Sequence, residues 1–113
     1  MKHLHLKQEQ KIGQSGGKPR ICLWNRKLIE CGFGIGQTFL IKQITALMGV
    51  CVQLTPSVDG KRKVSRVVNH GNELPVIDLK QTKSLDIAAL GDTGDKVSVE
   101  FLTNKIIIRR INQ

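Results

Sequence analysis

Residues Lys61-Arg62-Lys63 form the densest run of positive charge in this chain, with Arg66 three positions further on and Arg26-Lys27 upstream. Cations clustered in this way favour phosphates, because neutralising a nucleic-acid backbone releases its condensed counterions. The placement of charge strengthens that reading. The formal net charge is +9; residues 1–66 hold 12 Lys/Arg against 3 Asp/Glu, whereas residues 67–113 hold 6 of each. An excess confined to one part of a chain points to a face built for a polyanion.

Other chemistry is less well furnished. His3-x-His5 offers two metal ligands with no Cys or carboxylate pair nearby to complete a tetrahedral site, and His70 sits in a turn without a recognisable partner. Cys22, Cys31 and Cys51 have no Cys-x-x-Cys spacing and lie in apolar segments, so buried, reduced thiols of a cytoplasmic protein are expected. Gly32-Phe33-Gly34-Ile35-Gly36 lacks the Lys-Ser/Thr and the following helix of a phosphate loop, and reads as a turn. No nucleophile is matched to a positioned base, so catalysis is not expected and no cofactor is implied. A metal-free ribonuclease, for which basic residues and a histidine suffice, is the one enzymatic reading left open. Trp24, the single tryptophan, borders Asn25-Arg26-Lys27. Exposed, it could stack on a base; buried, it would anchor a core poor in aromatics, and burial is the expectation.

These side chains need a scaffold, and 113 residues make one domain. Hydrophobic content of 40% with aromatic content of 4% leaves Val, Ile and Leu to build the core, which suits a small β structure. No apolar run approaches the length that crosses a bilayer, and the first ten residues do not resemble a signal peptide. Residues 1–19 read as a basic, flexible arm broken by Gly13, Gly16, Gly17 and Pro19, with Arg20 at its end. From residue 20 the same order of elements occurs twice: apolar strand, short helix, Gly-x-Gly turn, strand, turn, strand. Placing Gly36 on Gly94 aligns the two at an offset of about 58 residues, with one length change in the last hairpin. Repeat one spans 20–55, a basic connecting segment 56–74 and repeat two 75–111, within a single domain over 20–113. Neither unit can bury a core alone, so the halves are expected to complete one another.

Local signals fill in the elements. Short helices are expected over Leu28 to Cys31 and Ser84 to Leu90, the second capped by Ser84. Pro19 and Pro75 mark strand starts. Val97, Val99 and Phe101 alternate with Ser98 and Glu100 as a half-buried strand, and Ile106-Ile107-Ile108 reads as a central strand covered on both faces. Lys61 to Asn72 is expected as a basic extended segment between turns at Asp59-Gly60 and His70-Gly71-Asn72.

The stretch Ile21-Cys22-Leu23-Trp24-Asn25-Arg26-Lys27-Leu28-Ile29-Glu30-Cys31-Gly32-Phe33-Gly34-Ile35-Gly36 resembles the SymE-type toxins. Their pattern is an apolar strand, a basic step, Leu-x-Glu-x-Gly-Phe and a Gly turn before a β-hairpin. That group belongs to the AbrB/MazE superfamily of swapped-hairpin β-barrels, which the second half resembles through Leu85, Ala89-Leu90-Gly91, Gly94-Asp95-Lys96-Val97 and Ile106-Ile107-Ile108. The resemblance implies a mainly β fold, a small barrel of two pseudo-symmetric AbrB-like repeats in one chain, each with a short helix. It implies DNA contacts at Arg26 and Lys27 and, in the second repeat, at their rough counterparts Lys80 and Lys83. The second repeat departs from the first, with Asp86, Asp92 and Asp95 where basic residues would stand, so a symmetric DNA surface is not expected.

The expected function is nucleic-acid binding, with duplex DNA favoured over RNA and a regulatory, antitoxin- or repressor-like role. Arg20, Arg26, Lys27, Lys61, Arg62, Lys63, Arg66, Lys80 and Lys83 are the candidate contacts. The alternatives are a SymE-like toxin acting on RNA, and a protein-binding inhibitor or accessory factor of a mobile element. A homodimer stays open, and no membrane contact is expected.

Overall fold

Alternating apolar residues build most of this molecule into strands. The computed structural model describes residues 5–46 and 49–111. Ten strands follow in order: β1 (His5–Lys11), β2 (Gly13–Ser15), β3 (Lys18–Leu23), β4 (Thr38–Ala46), β5 (Gly49–Pro56), β6 (Arg62–Lys63), β7 (Ser65–Asn69), β8 (Asn72–Lys80), β9 (Lys96–Leu102) and β10 (Lys105–Arg110). A six-stranded sheet has the order β1-β9-β10-β5-β4-β6, and a four-stranded sheet the order β2-β3-β8-β7. All these pairings are antiparallel.

Several seams join strands far apart in sequence. β3 lies along β8 with Ile21 opposite Leu79, and β5 lies along β10 with Gln53 opposite Ile107. Two further strands pass from one sheet to the other. β1 runs into β2 through Ile12, and β6 into β7 through Val64, each only 1% exposed. The backbone treats these corners alike: Ile12 N–H donates to the Asp95 carbonyl at 2.8 Å, and Val64 N–H to the Gln37 carbonyl at 2.9 Å. Their carbonyls accept from Gly94 and Gly36 respectively, at 2.8 and 2.9 Å.

The core follows from strand parity, since every second side chain points inward. Val97, Val99 and Phe101 of β9, Ile106 and Ile108 of β10, and Val52 and Leu54 of β5 meet Ile21, Leu23, Ile77 and Leu79 of the other sheet. β10 is central, between β9 and β5, and its outward Ile107 is still buried. That matches the reading of Ile106 to Ile108 as a strand covered on both faces.

Several expectations are corrected. Residues 5–18 are not a flexible arm: β1 pairs with β9 from His5–Leu102 to Lys11–Lys96, and β2 pairs with β3 across the expected boundary at residue 19. The edge of the β9–β10 hairpin would otherwise present a row of unpaired backbone groups, and β1 satisfies them. The expected helices are no more than single turns. One α-helical turn, Lys27–Glu30, stops at Gly32 (φ 91°), and the second stretch holds a 3-10 turn of three residues, Ile87–Ala89. Ser84 caps nothing; its Oγ lies 3.2 Å from Thr82 Oγ1, and it is Thr82 that accepts the Leu85 N–H. The Asp86 and Ala88 amides are taken by Gln43 Oε1 at 2.8 Å and Gln81 Oε1 at 2.9 Å. Pro75 lies inside β8, opposite Arg66, rather than at its start.

Two glycines mark close approaches. A Cβ on Gly32 would sit 2.7 Å from Asn104 Oδ1, where the α-helical turn docks on the β9–β10 hairpin. A Cβ on Gly60 would run into the Phe39 backbone, which no rotamer change relieves. Gly60→Ala is therefore expected to cost about 2 kcal/mol in chemical denaturation through overpacking. Gly34→Ala, which meets nothing within 4 Å, is the control and should stay within about 0.5 kcal/mol.

Candidate nucleic-acid interface

The Lys61-Arg62-Lys63 run is held by the turn that precedes it. Ser57 N–H donates to the Thr38 carbonyl at 3.0 Å, Thr38 Oγ1 donates to the Ser57 carbonyl, and Gly60 N–H closes the turn on the same carbonyl at 3.2 Å. With Gly60 pressed on Phe39, the chain enters β6 against β4, Arg62 opposite Phe39 and Lys63 opposite Thr38. Lys61 and Lys63 are exposed, and Arg62 is half-buried. Lys61 and Arg62 line a hollow of about 250 Å³ with an apolar side of Phe39, Ile41 and Leu85. Lys83 directly precedes Ser84 and Leu85 of that hollow, and Gln43 of β4 ties the loop down through Nε2 to the Asp86 carbonyl at 3.1 Å. The fold thus gathers Lys61, Arg62 and Lys63 and brings the Lys83 loop alongside.

Arg26 and Lys27 are placed elsewhere. Lys27 Nζ lies 3.5 Å from Gln8 Oε1 on β1 and 6.0 Å above the Phe101 ring on β9. β1 and β6 are opposite edges of the six-stranded sheet, five strand spacings or about 24 Å apart along it. The expected basic surface is therefore two clusters rather than one.

Other candidate cations already have partners. Arg20 Nε donates to Asp78 Oδ1 at 2.8 Å, and Lys80 Nζ lies 3.9 Å from Asp78 Oδ2. The hydrogen bond to Asp78, and then its charge, raise the Arg20 pKa. Arg66 pairs with Glu73 at 2.7 Å, Lys96 with Glu9 at 3.8 Å and Arg109 with Glu100 at 4.0 Å. Among the described residues Arg26, Lys27, Lys61, Arg62, Lys63 and Lys83 have no carboxylate partner. Asp78, which holds two of the candidate cations, is a site residue that the sequence did not single out.

Trp24 corrects the expectation of burial: it is 52% exposed. Leu23 takes the inward position at the end of β3, so parity turns Trp24 outward, beside Val76 if the β3–β8 register is continued by one residue. Parity also leaves Cys22 and Cys51 half-buried, and Cys31 alone is fully buried. Among the described residues no group of three His, Cys, Asp or Glu side chains could hold a metal ion, and no helix is long and apolar enough to cross a membrane. The His3-x-His5 pair falls outside the described side chains. No family model, curated protein or solved structure matches the chain.

Burial, with Glu30 as a lesser cause, pushes the Cys31 thiol up to about 11 from 9.0. Two thiols per chain are expected to react with an alkylating reagent at pH 8 in the native state, and the third only after denaturation. The same shift means that Cys31 favours folding below pH 9 and loses that contribution as pH rises toward 11. Denaturation midpoints of wild type and Cys31→Ala across that range provide the check.

Proposed function

We propose that this chain is a regulatory, duplex-DNA-binding protein built as one closed barrel of two interleaved AbrB/MazE-like repeats, the first of them SymE-like. The strand register supports the repeat. Ile21 and Leu79 face each other at the same separation, 58 residues, that superposes Gly36 on Gly94. A two-fold relation with that offset maps the pair onto itself. β4 reaches its turn at Ala46 eight residues after Thr38, and β9 reaches its turn at Leu102 six residues after Lys96. Two extra residues on each strand reduce the offset in the last strand to 54, and Gln53 does face Ile107.

The corners extend the relation to segments first read as appendages. Ile12 and Val64 hold matching places, so β1 and β2 correspond to β6 and β7, and the repeats become roughly 5–56 and 57–111. The successive neighbours β3, β8, β7 with β6, β4, β5, β10, β9 and β1 with β2 lead back to β3, as a closed barrel requires.

The observation that carries the DNA-binding reading is Lys61-Arg62-Lys63. Arg62 and Lys63 lie on the short strand β6 and Lys61 at the end of the clamped turn before it, with no carboxylate partner among the described residues. Such groups neutralise phosphates without first breaking an ion pair. The test is retention of duplex DNA across a salt series. Binding should weaken steeply with salt, and alanines at Lys61, Arg62 and Lys63 should lower the salt slope by about one unit for each phosphate no longer neutralised. Alanines at Lys96, Lys105 and Arg109 should change it far less, because Lys96 and Arg109 are already paired. A flat salt dependence contradicts the reading. In the same assay Asp78→Asn, which frees Arg20 and Lys80, should tighten binding severalfold at low salt. RNA that outcompetes the duplex through the exposed Trp24 would instead favour the SymE-like toxin acting on RNA.

A further inference from the structure

The two corner strands continue into hairpins of different length. Beyond Ile12 the chain turns at Gly16-Gly17, with Ser15 opposite Lys18; beyond Val64 it turns at His70-Gly71, with Asn69 opposite Asn72. The β7–β8 ribbon therefore reaches two residues, about 7 Å, further than its counterpart. Every residue of β7 is exposed. His70 (φ 52°) and Gly71 (φ 79°) both take positive φ, giving the compact two-residue turn that matches strand twist. The ribbon tip is thus narrow and defined.

Its two faces differ in charge. Val64 points inward, so Lys63, Ser65, Val67 and Asn69 alternate outward, and Asn72, Leu74 and Val76 stand opposite the last three. That face carries a cation at its root, an apolar middle in which Val67 is 38% exposed, and two carboxamides side by side at its tip. No acid lies on it. Glu73 is on the reverse face, where it pairs with Arg66 at 2.7 Å. The shorter hairpin has glycines at the corresponding tip.

We infer that the outward face of the β7–β8 ribbon enters the major groove of duplex DNA and reads base edges through Asn69 and Asn72. This rests on the DNA-binding reading above. A major groove of about 12 Å admits a two-stranded ribbon, Asn matches the N6 and N7 edge of adenine, and an apolar side chain such as Val67 suits the thymine methyl. Lys63 of β6, at the root of the ribbon, and Lys61 just before it then meet the flanking phosphates, and the reverse face, with its Arg66–Glu73 pair, points away from the duplex. The half that lacks the longer ribbon adds no reading element, so the recognised site is a single element rather than a palindrome.

The experiment selects duplexes from a random pool with the full chain, then compares the selected duplex with a scrambled one for wild type and Asn69→Ala/Asn72→Ala. The selected site should contain A·T pairs. The double variant should lose about tenfold or more of the preference for it, with scrambled-duplex affinity and salt slope unchanged. A second variant, with residues 67–74 replaced by Ser-Gly-Gly-Lys, should lose the preference while keeping its melting temperature close to wild type. An unchanged preference, an equal loss on both duplexes, or a wild type without sequence preference overturns base reading while leaving DNA binding standing. A wild type that retains neither duplex at low salt overturns the DNA-binding reading as well.

Discussion

Each long hairpin of this chain has edges that only strands outside it can satisfy. β5 finds its second neighbour in β10, β4 in β6 and β9 in β1. β3 likewise finds its second neighbour in β8. Unpaired backbone groups at a sheet edge are costly when buried and adhesive when exposed. The pairing of each hairpin with strands outside it is therefore the constraint on which the rest depends. It buries Ile21 against Leu79 and Val52 near Ile108, and it draws the N-terminal residues into the sheet as β1.

In the proposed repeat, equivalent backbone positions carry different chemistry. In the proposed arrangement Lys61-Arg62-Lys63 stands where the other half has Glu9-Gln10-Lys11, and Arg26-Lys27 stands where it has Ser84-Leu85. Each half thus contributes one basic cluster, at opposite edges of the six-stranded sheet. Counted by these halves, residues 1–56 hold 8 Lys/Arg against 2 Asp/Glu and residues 57–113 hold 10 against 7. The lopsided surface comes from which cations keep a carboxylate partner more than from which half they belong to. In the same proposed arrangement Gln8, Gln10 and Lys27 stand in the places of Gly60, Arg62 and Leu85, the last two of which line the hollow. Lys27 lies close to Gln8, and Gln10 donates to the Cys22 carbonyl.

The β9–β10 hairpin was legible because Val97, Val99 and Phe101 alternate cleanly and Gly94 sets the turn before them. β1 was not, because its inward positions include Gln8 and Gln10, polar side chains that bond to the protein rather than pack into the core. The α-helical turn at Lys27–Glu30 falls where a short helix was expected, but a single turn leaves no helical period from which to set its length. Trp24 misled for a related reason: hydrophobicity argued for burial, while the parity set by Leu23 put it outside. The cations were visible as a charge run, but their separation into two clusters depends on strand order, which no local pattern encodes.

In the proposed complex, duplex DNA meets β6 and β7. Amide hydrogen exchange, measured on the free chain and on the chain mixed with duplex DNA at low salt, tests it most directly. Added protection is expected across residues 57–74, with little change along β9 and β10. Protection confined to the outer face of β9 and β10, or none anywhere while DNA is bound, would contradict it.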